Sequence, residues 1–504
     1  MTMLNRREIV TGAGAVLVAG HAGAQALAQT GSSGEAFGWD ALIARAQALS
    51  RRAFTDVPAH PGARAVDYDA LHKVRFRDDR TIWNDRDDAT GIRLFPLSKS
   101  SSQPIFLHLL ENGRATPISY DPDIFDMPAD SPVRALGRDA GFAGFRVMTK
   151  ARDADWLVFM GASYFRAAGA RKQYGLSARA VAIDTSGARE EFPRFTHFWL
   201  EHDGPSALTV YALLDGPRIT GAYRFRNRLD ATGVHQDIDA ALFPRRAIAE
   251  LGLMPMTSMF WYDQAQRDKA TDWRPEIHDS DMLLIRSADG SVQARPLVNP
   301  NAPHVSSFTE AETRGFGLLQ RDRNFDHYQD DGVFYDRRPS LFATPRSPMG
   351  AGKVRLYTFP VQSEYDDNVA AYWVPDAPVA ARQRLDLAYR LDWQDDAPPI
   401  ANAPAKLVDL FRGSLEGAEG KRGGTRLVMD FMCNPAMTEG VSVHSDVIKA
   451  VLIKSAAYPV LGQPGRWRAV LDLRVDPGLG AEIRAHLRKG DDVVSETVHY
   501  PLNP

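Results

Sequence analysis

Two short stretches of this chain hold more ionisable side chains than a folded core accepts without a reason. The first is Asp272-Trp273-Arg274-Pro275-Glu276-Ile277-His278-Asp279-Ser280-Asp281, where a tryptophan and a histidine stand among acids and an arginine. The second is Ser363-Glu364-Tyr365-Asp366-Asp367-Asn368, which runs into the apolar segment Val369-Ala370-Ala371-Tyr372-Trp373. Paired carboxylates suit acid/base chemistry, one protonated to serve a leaving group and one ionised to activate water. A carboxyl at the mouth of an apolar strand suits the protonated role, because lost hydration disfavours its charge. Strand alternation would send Asp366 and Asp367 to opposite sides, leaving only one to face a substrate. Aromatic rings beside acids suit a saccharide, whose C–H faces stack on them, although large rings also dominate ordinary cores. The first stretch is too polar for a core strand and is expected as a loop lining a cleft. Each stretch also reads as a solvated acidic loop, and composition does not pair one with the other.

Other chemistries lack their residues. There is no His-Glu-x-x-His, no Gly-x-Ser-x-Gly and no Gly-x-Gly-x-x-Gly after a strand. Gly350-Ala351-Gly352-Lys353 resembles a phosphate loop only in part, since Ser347 stands where glycine is required, and it reads better as a tight turn. The 13 histidines are scattered without ligand spacing, so no metal and no cofactor is expected. Cys433 is the single cysteine, which excludes an intramolecular disulfide and a Cys-rich zinc site. A formal net charge of −3 gives no electrostatic reason for a nucleic-acid partner.

The elements that must position the two stretches are mostly strands. Leu385, Leu387, Tyr389, Leu391 and Trp393 alternate with Asp386, Ala388, Arg390 and Asp392, which predicts a half-buried strand with a wet outer face. Leu427, Met429 and Phe431 repeat the pattern, as do Trp467, Ala469, Leu471, Leu473 and Val475. One helix is expected, capped by Asp40 and running to Arg51, with Trp39, Leu42, Ile43, Ala46 and Leu49 on its apolar face. Strands without long intervening helices argue against a Rossmann or TIM architecture.

With 504 residues the chain exceeds what one core usually organises, so two domains are expected. The proline-rich segment 394–404 reads as an extended connector. It leaves roughly 100 residues, 405–504, which suits an immunoglobulin-like sandwich. Residues 1–28 read as a twin-arginine leader, with Arg6-Arg7, an apolar run from Gly12 to Gly20 and a small-residue cleavage site at Ala26-Leu27-Ala28. Export to the periplasm follows from that reading. Beyond residue 28 no apolar run reaches the ~20 residues of a membrane helix.

The chain also resembles a known family, the periplasmic glucan biosynthesis proteins of types G and D of Gram-negative bacteria. The resemblance rests on ordered motifs: Asp139-Ala140-Gly141-Phe142-Ala143-Gly144-Phe145, Gly161-Ala162-Ser163-Tyr164-Phe165-Arg166, Tyr174-Gly175-Leu176-Ser177-Ala178-Arg179, Glu191-Phe192-Pro193-Arg194-Phe195, Arg274 through Ser280, Gly315 through Arg321, Arg338-Pro339-Ser340, and Asp367-Asn368 with Tyr372-Trp373. The leader looks more like the D type. The resemblance implies an all-β protein, with a large mutarotase-like β-sandwich over 29–393 and a small immunoglobulin-like domain over 405–504. It implies a part in making osmoregulated periplasmic glucans of β-1,2-linked glucose, through an inverting β-1,2-glucanase-type hydrolase or a related transglycosylase. By the same resemblance Asp367 is the general acid and Asp279 the general base, while Tyr164, Arg166, Trp273, His278, Tyr372 and Trp373 contact substrate. Leu341-Phe342 stand where many relatives carry tryptophan, so stacking is expected to differ there. Two other readings remain: a non-catalytic glucan-binding protein serving a membrane glucosyltransferase, and, from fold alone, a sugar epimerase.

Overall fold

The computed structural model describes residues 34–187, 189–416, 422–433, 439–475 and 480–502. The expected leader lies outside them. Strands hold 50% of the chain and helices 10%, so this is an all-β protein. Packing divides it into two compact units. One holds the described residues up to Lys172, with Ser177–Pro255 and Ala377–Leu391; the other holds Gln173–Leu176, Met256–Asp376 and the described residues from Asp392 on.

In the first unit one sheet is ordered Glu35–Ala36, Arg114–Pro117, Phe106–Glu111, Arg194–Gly204, Ala207–Asp215, Ile219–Asp230, Gly233–Pro244. A second runs from Ile92–Phe95 through Gly144–Met148, Asp155–Met160 and Tyr164–Ala167 to Ser177–Arg179. Period-two alternation turns Phe159 and Phe165 of one sheet toward Phe198 and Phe225 of the other, where the rings meet edge to face at 5.1–5.5 Å. The expected helix spans Trp39–Ser50 and buries Leu42, Ala46 and Ser50, four residues apart, against Trp199, Leu213 and Phe243. Its N-cap is Gly38, not Asp40, which sits in the first turn, where a carboxylate favours the positive end of the helix dipole.

In the second unit a sheet is ordered Ser340–Pro345, Thr313–Leu319, Met282–Ser287, Val292–Pro296, Thr497–Leu502, Ala481–Lys489, Val441–Ile448. Another joins Lys406–Glu416, Arg422–Met432, Arg466–Arg474 and Val451–Pro459. The residues that alternate in sequence, Leu427, Met429, Phe431, Trp467, Ala469, Leu471 and Leu473, are buried between them. In the segment 384–393 Tyr389, Leu391 and Trp393 are buried as expected, but so is Asp392 of the presumed wet face.

The division expected at 394–404 is not the one that packing draws. Val292–Pro296 pairs in parallel with Thr497–Leu502, carrying one sheet across the connector's two sides. Leu284, Ala294 and Phe342 share a core with Leu407, Leu427 and Val498. The connector is also held down: Arg323 and Ser340 donate to the Asp395 carbonyl, and Arg286 to that of Pro398. Only Pro399 through Ala403 is exposed.

Glycines allow two close approaches here. Gly350 turns at φ +70°, as the tight-turn reading requires, and a Cβ on Gly352 would stand 2.5 Å from the Trp373 ring. A Cβ on Gly317 would likewise meet the Phe342 ring at 2.7 Å. Leu341 and Phe342, which stand where many relatives carry tryptophan, are core residues.

Candidate functional site

The site assembles around one three-residue strand of the second unit. Phe260–Tyr262 pairs antiparallel with Ile277–His278, placing Phe260 opposite His278, and Asp279 follows directly. The Asp279 N–H donates to the Met259 carbonyl at 2.8 Å. From the second stretch Asn368, fully buried, reaches the same strand. It accepts the Phe260 N–H at 2.8 Å and donates to the carbonyls of Phe260 and Phe359 at 2.9 and 3.0 Å. The chain neighbours of both candidate carboxylates are thus fixed to one short strand, though they are 89 positions apart at Asp279 and Asn368.

Asp366 and Asp367 lie ahead of the strand Val369–Pro375, in a loop, so strand alternation does not decide their directions. Their burial does differ: Asp367 is half-buried and Asp366 exposed. Asp279, by contrast, has no exposed surface. Its Oδ1 accepts from Arg338 Nη1, so a guanidinium offsets what would otherwise be a bare charge in the interior. Arg338 is set in turn by the Val333 carbonyl and by the Tyr335 ring, 4.0 Å from its guanidinium carbon. A Cβ on Gly175 would stand 3.1 Å from the Arg338 Cβ, so glycine leaves the arginine its path.

His278 is also fully buried. Its Nε2 bonds Glu276 at 3.0 Å and its Nδ1 bonds Gln320 Oε1 at 2.9 Å. Gln320 donates onward to the Tyr328 hydroxyl and to the carbonyls of His278 and Tyr335. Burial pushes the imidazole toward its neutral form, but the Glu276 carboxylate outweighs it, and the His278 pKa rises to about 9. Asp263 moves to about 7, chiefly by burial, with Glu276 adding repulsion.

Arg274 ties three loops together. It donates to Asp272 at 2.9–3.0 Å, to Asp330 at 2.6 Å and to Glu364 at 3.1–3.2 Å, and Tyr335 also donates to Glu364. Burial disfavours its charge, yet the surrounding carboxylates win and raise its pKa. Between the clamped Asp272 and Arg274, Trp273 stands 73% exposed.

Of the residues expected at the site, His278, Asp279 and Asn368, the neighbour of Asp367, are brought onto one framework, and Trp273 is held in solvent nearby in sequence. His278 is a buried network residue, and Tyr372 and Trp373 are buried within the strand Val369–Pro375, where large rings fill the core. Tyr164 and Arg166 belong to the first unit, where the Arg179 guanidinium lies 5.6 Å from the Tyr164 ring. The expectation of a loop over 272–281 holds only to Glu276; Ile277 through Ser280 are buried, because Arg338 and Gln320 supply partners for their polar groups. Arg274, Glu364, Asp330, Gln320 and the side chain of Asn368 gave no sign of their roles, since their partners are remote in sequence. Glu276, Asp322 and His327 bring ligand-type atoms within 4.8 Å of one another. Hydrogen bonds to His278 and between Asp322 and His327 account for that grouping.

The family profile described as "Periplasmic glucan biosynthesis protein, MdoG" matches residues 37–502. Glucans biosynthesis protein D 2 of Ralstonia nicotianae is 39% identical over 490 residues, covering 93% of this chain and 91% of that protein. A probable glucans biosynthesis protein D of Shewanella oneidensis is also 39% identical, covering 87% of this chain and 83% of its own. Among solved structures, a galactose mutarotase related enzyme from Lactobacillus acidophilus aligns over 50% of this chain and 95% of its own, at 9% identity and a TM-score of 0.24, a likeness too slight to argue from.

Proposed function

The chain belongs to the periplasmic glucan biosynthesis family, and from that membership we propose that it is a periplasmic enzyme that cuts or rejoins β-1,2-linked glucan by an inverting mechanism. Asp367 is the general acid and Asp279 the general base. The observation that carries the proposal is the double hold of Asn368 and Asp279 on Met259-Phe260, which gives the two carboxylates a common rigid support. In this reading Asp367, half-buried in its loop, gives a proton to the departing glycosidic oxygen. A water on the opposite face of the sugar loses its proton toward Asp279 as it attacks the anomeric carbon. Asp279 has no exposed surface, so its proton arrives through a relay of waters or sugar hydroxyls. The exposed ring of Trp273 supplies a stacking face.

The same burial of Asp279 beneath Arg338 favours a second reading, a glucan-binding protein that receives chains from a membrane glucosyltransferase. Incubation with linear β-1,2-glucan, with products resolved by size, separates the two. Shortened or rejoined chains are expected from the wild type. Asp367→Asn should lower turnover by about 10²–10⁴-fold while retaining glucan binding, and Asp366→Asn should stay close to wild type. A wild type that binds glucan and never alters it overturns the catalytic reading.

A further inference from the structure

A cleft of about 670 Å³ opens in the first unit, and none of the residues assigned above is among its lining residues. Arginines and acids line it, and most of them cancel. Arg218 pairs with Asp184 and Glu191, each at 2.7 Å. Behind the wall, Arg179 pairs with Glu190 at 2.6 Å and Arg245 with Asp215 at 2.6 Å. Three lining arginines, Arg189, Arg194 and Arg246, form no ion pair among the described residues, against a single unpaired carboxylate, Asp56.

Arg194 is the informative one. Arg189 and Arg246 are exposed, and an exposed arginine needs no partner. Arg194 is half-buried, and among the described residues its side chain makes one hydrogen bond, from Nη2 to the Gln103 carbonyl at 3.2 Å. Burial lowers its pKa, with only the field of Asp56 opposing, whereas the two carboxylates on Arg218 raise that residue's. A guanidinium withdrawn from water without an anion is costly to hold, and it is tolerated where a ligand completes it. The fork of an arginine fits the oxygens of a phosphoryl group two at a time. The cleft is much larger than a bare oxyanion, and Phe192, 38% exposed, and Phe54 add apolar wall.

We propose that this cleft is an anion-binding site in which Arg194, aided by Arg189 and Arg246, holds the phosphoryl group of a larger ligand whose body rests on Phe54 and Phe192.

Isothermal titration of the full chain with inorganic phosphate, at constant ionic strength, tests the assignment. One saturable site is expected, at least fivefold tighter than for acetate. Arg194→Met, which keeps the aliphatic stem, should weaken it tenfold or more. If that variant does not fold, the exposed pair Arg189→Gln/Arg246→Gln carries the test, with an expected loss of about threefold or more. Glucose 1-phosphate should bind tighter than phosphate if the walls hold the ligand body. Sedimentation with phosphatidylglycerol vesicles distinguishes the source: Arg194-dependent pelleting assigns a lipid headgroup, and Arg194-dependent phosphate binding without pelleting assigns a soluble ligand. Absence of saturable phosphate binding, acetate binding as tight as phosphate, or binding unchanged in the variants overturns the proposal.

Discussion

A buried histidine held charged by one glutamate makes stability depend on pH in a definite direction. The ordinary His pKa is 6.5, and His278 reaches about 9 in the folded chain. The folded state therefore binds more protons than the unfolded one between those values, so the His278 contribution is complete below pH 6.5 and is lost as pH rises through 9. Asp263, raised from 3.8 to about 7, has the same sign over its own window: stability falls as pH rises from 3.8 to 7, where the unfolded chain ionises first. Thermal melts of the wild type and of His278→Gln across pH 6 to 9.5 check this. The wild-type melting temperature should drop more steeply than that of the variant, and parallel curves would remove His278 as the cause.

At the scale of loops and strands, the Arg274 clamp has the largest expected effect. One guanidinium serves carboxylates from the segments around Asp272, Asp330 and Glu364, and those segments lead to Asp279, Arg338 and Asp367. Arg274→Met removes the cation and leaves partly buried acids facing one another, a loss of about 3–5 kcal/mol by analogy with other broken buried pairs. Urea unfolding measures it, and a change below about 1 kcal/mol would show that solvent replaces the clamp. The connector yields a second prediction. Pro399 through Ala403 is exposed, while Asp395 and Pro398 are held by arginines, so limited proteolysis should cut within 399–403. The two fragments should then elute together under native conditions, because residues on both sides share one core. Separation without denaturant would instead favour an independent C-terminal domain.

For the whole molecule, the family is described as periplasmic, and the expectation that Arg6-Arg7 form a twin-arginine leader can be tested directly. Replacing both arginines with lysine should leave the precursor in the cytoplasm, since the twin-arginine route reads the pair and not merely the charge. Fractionation with an antibody against the chain decides it, and a normal periplasmic yield would rule that route out.

Local chemistry was legible in the sequence wherever its cause was local. Period-two alternation at Leu427, Met429 and Phe431 led to buried strands, 3.6-residue spacing at Leu42 and Ala46 led to the helix, and the resemblance to a family singled out Asp367 and Asp279 among the acids. The same reasoning failed where burial depends on remote partners. Ile277 through Ser280 looked too polar for an interior, and they are interior because Arg338 and Gln320 arrive from about 60 and 40 positions away to satisfy them. The burial of Tyr372 and Trp373 was not legible either: Gly352, remote in sequence, makes room for the Trp373 ring in the core. Proline content marked the connector, yet sheet pairing between Val292–Pro296 and Thr497–Leu502 drew the division elsewhere. By itself, then, the sequence determined the all-β class and most of the buried strand positions, while the two acids worth testing came from the family resemblance. Only the tertiary structure decided which polar groups are buried, which arginines offset them and which arginine is left without an anion, because the free energy of a buried charge depends on the groups that long-range folding brings beside it.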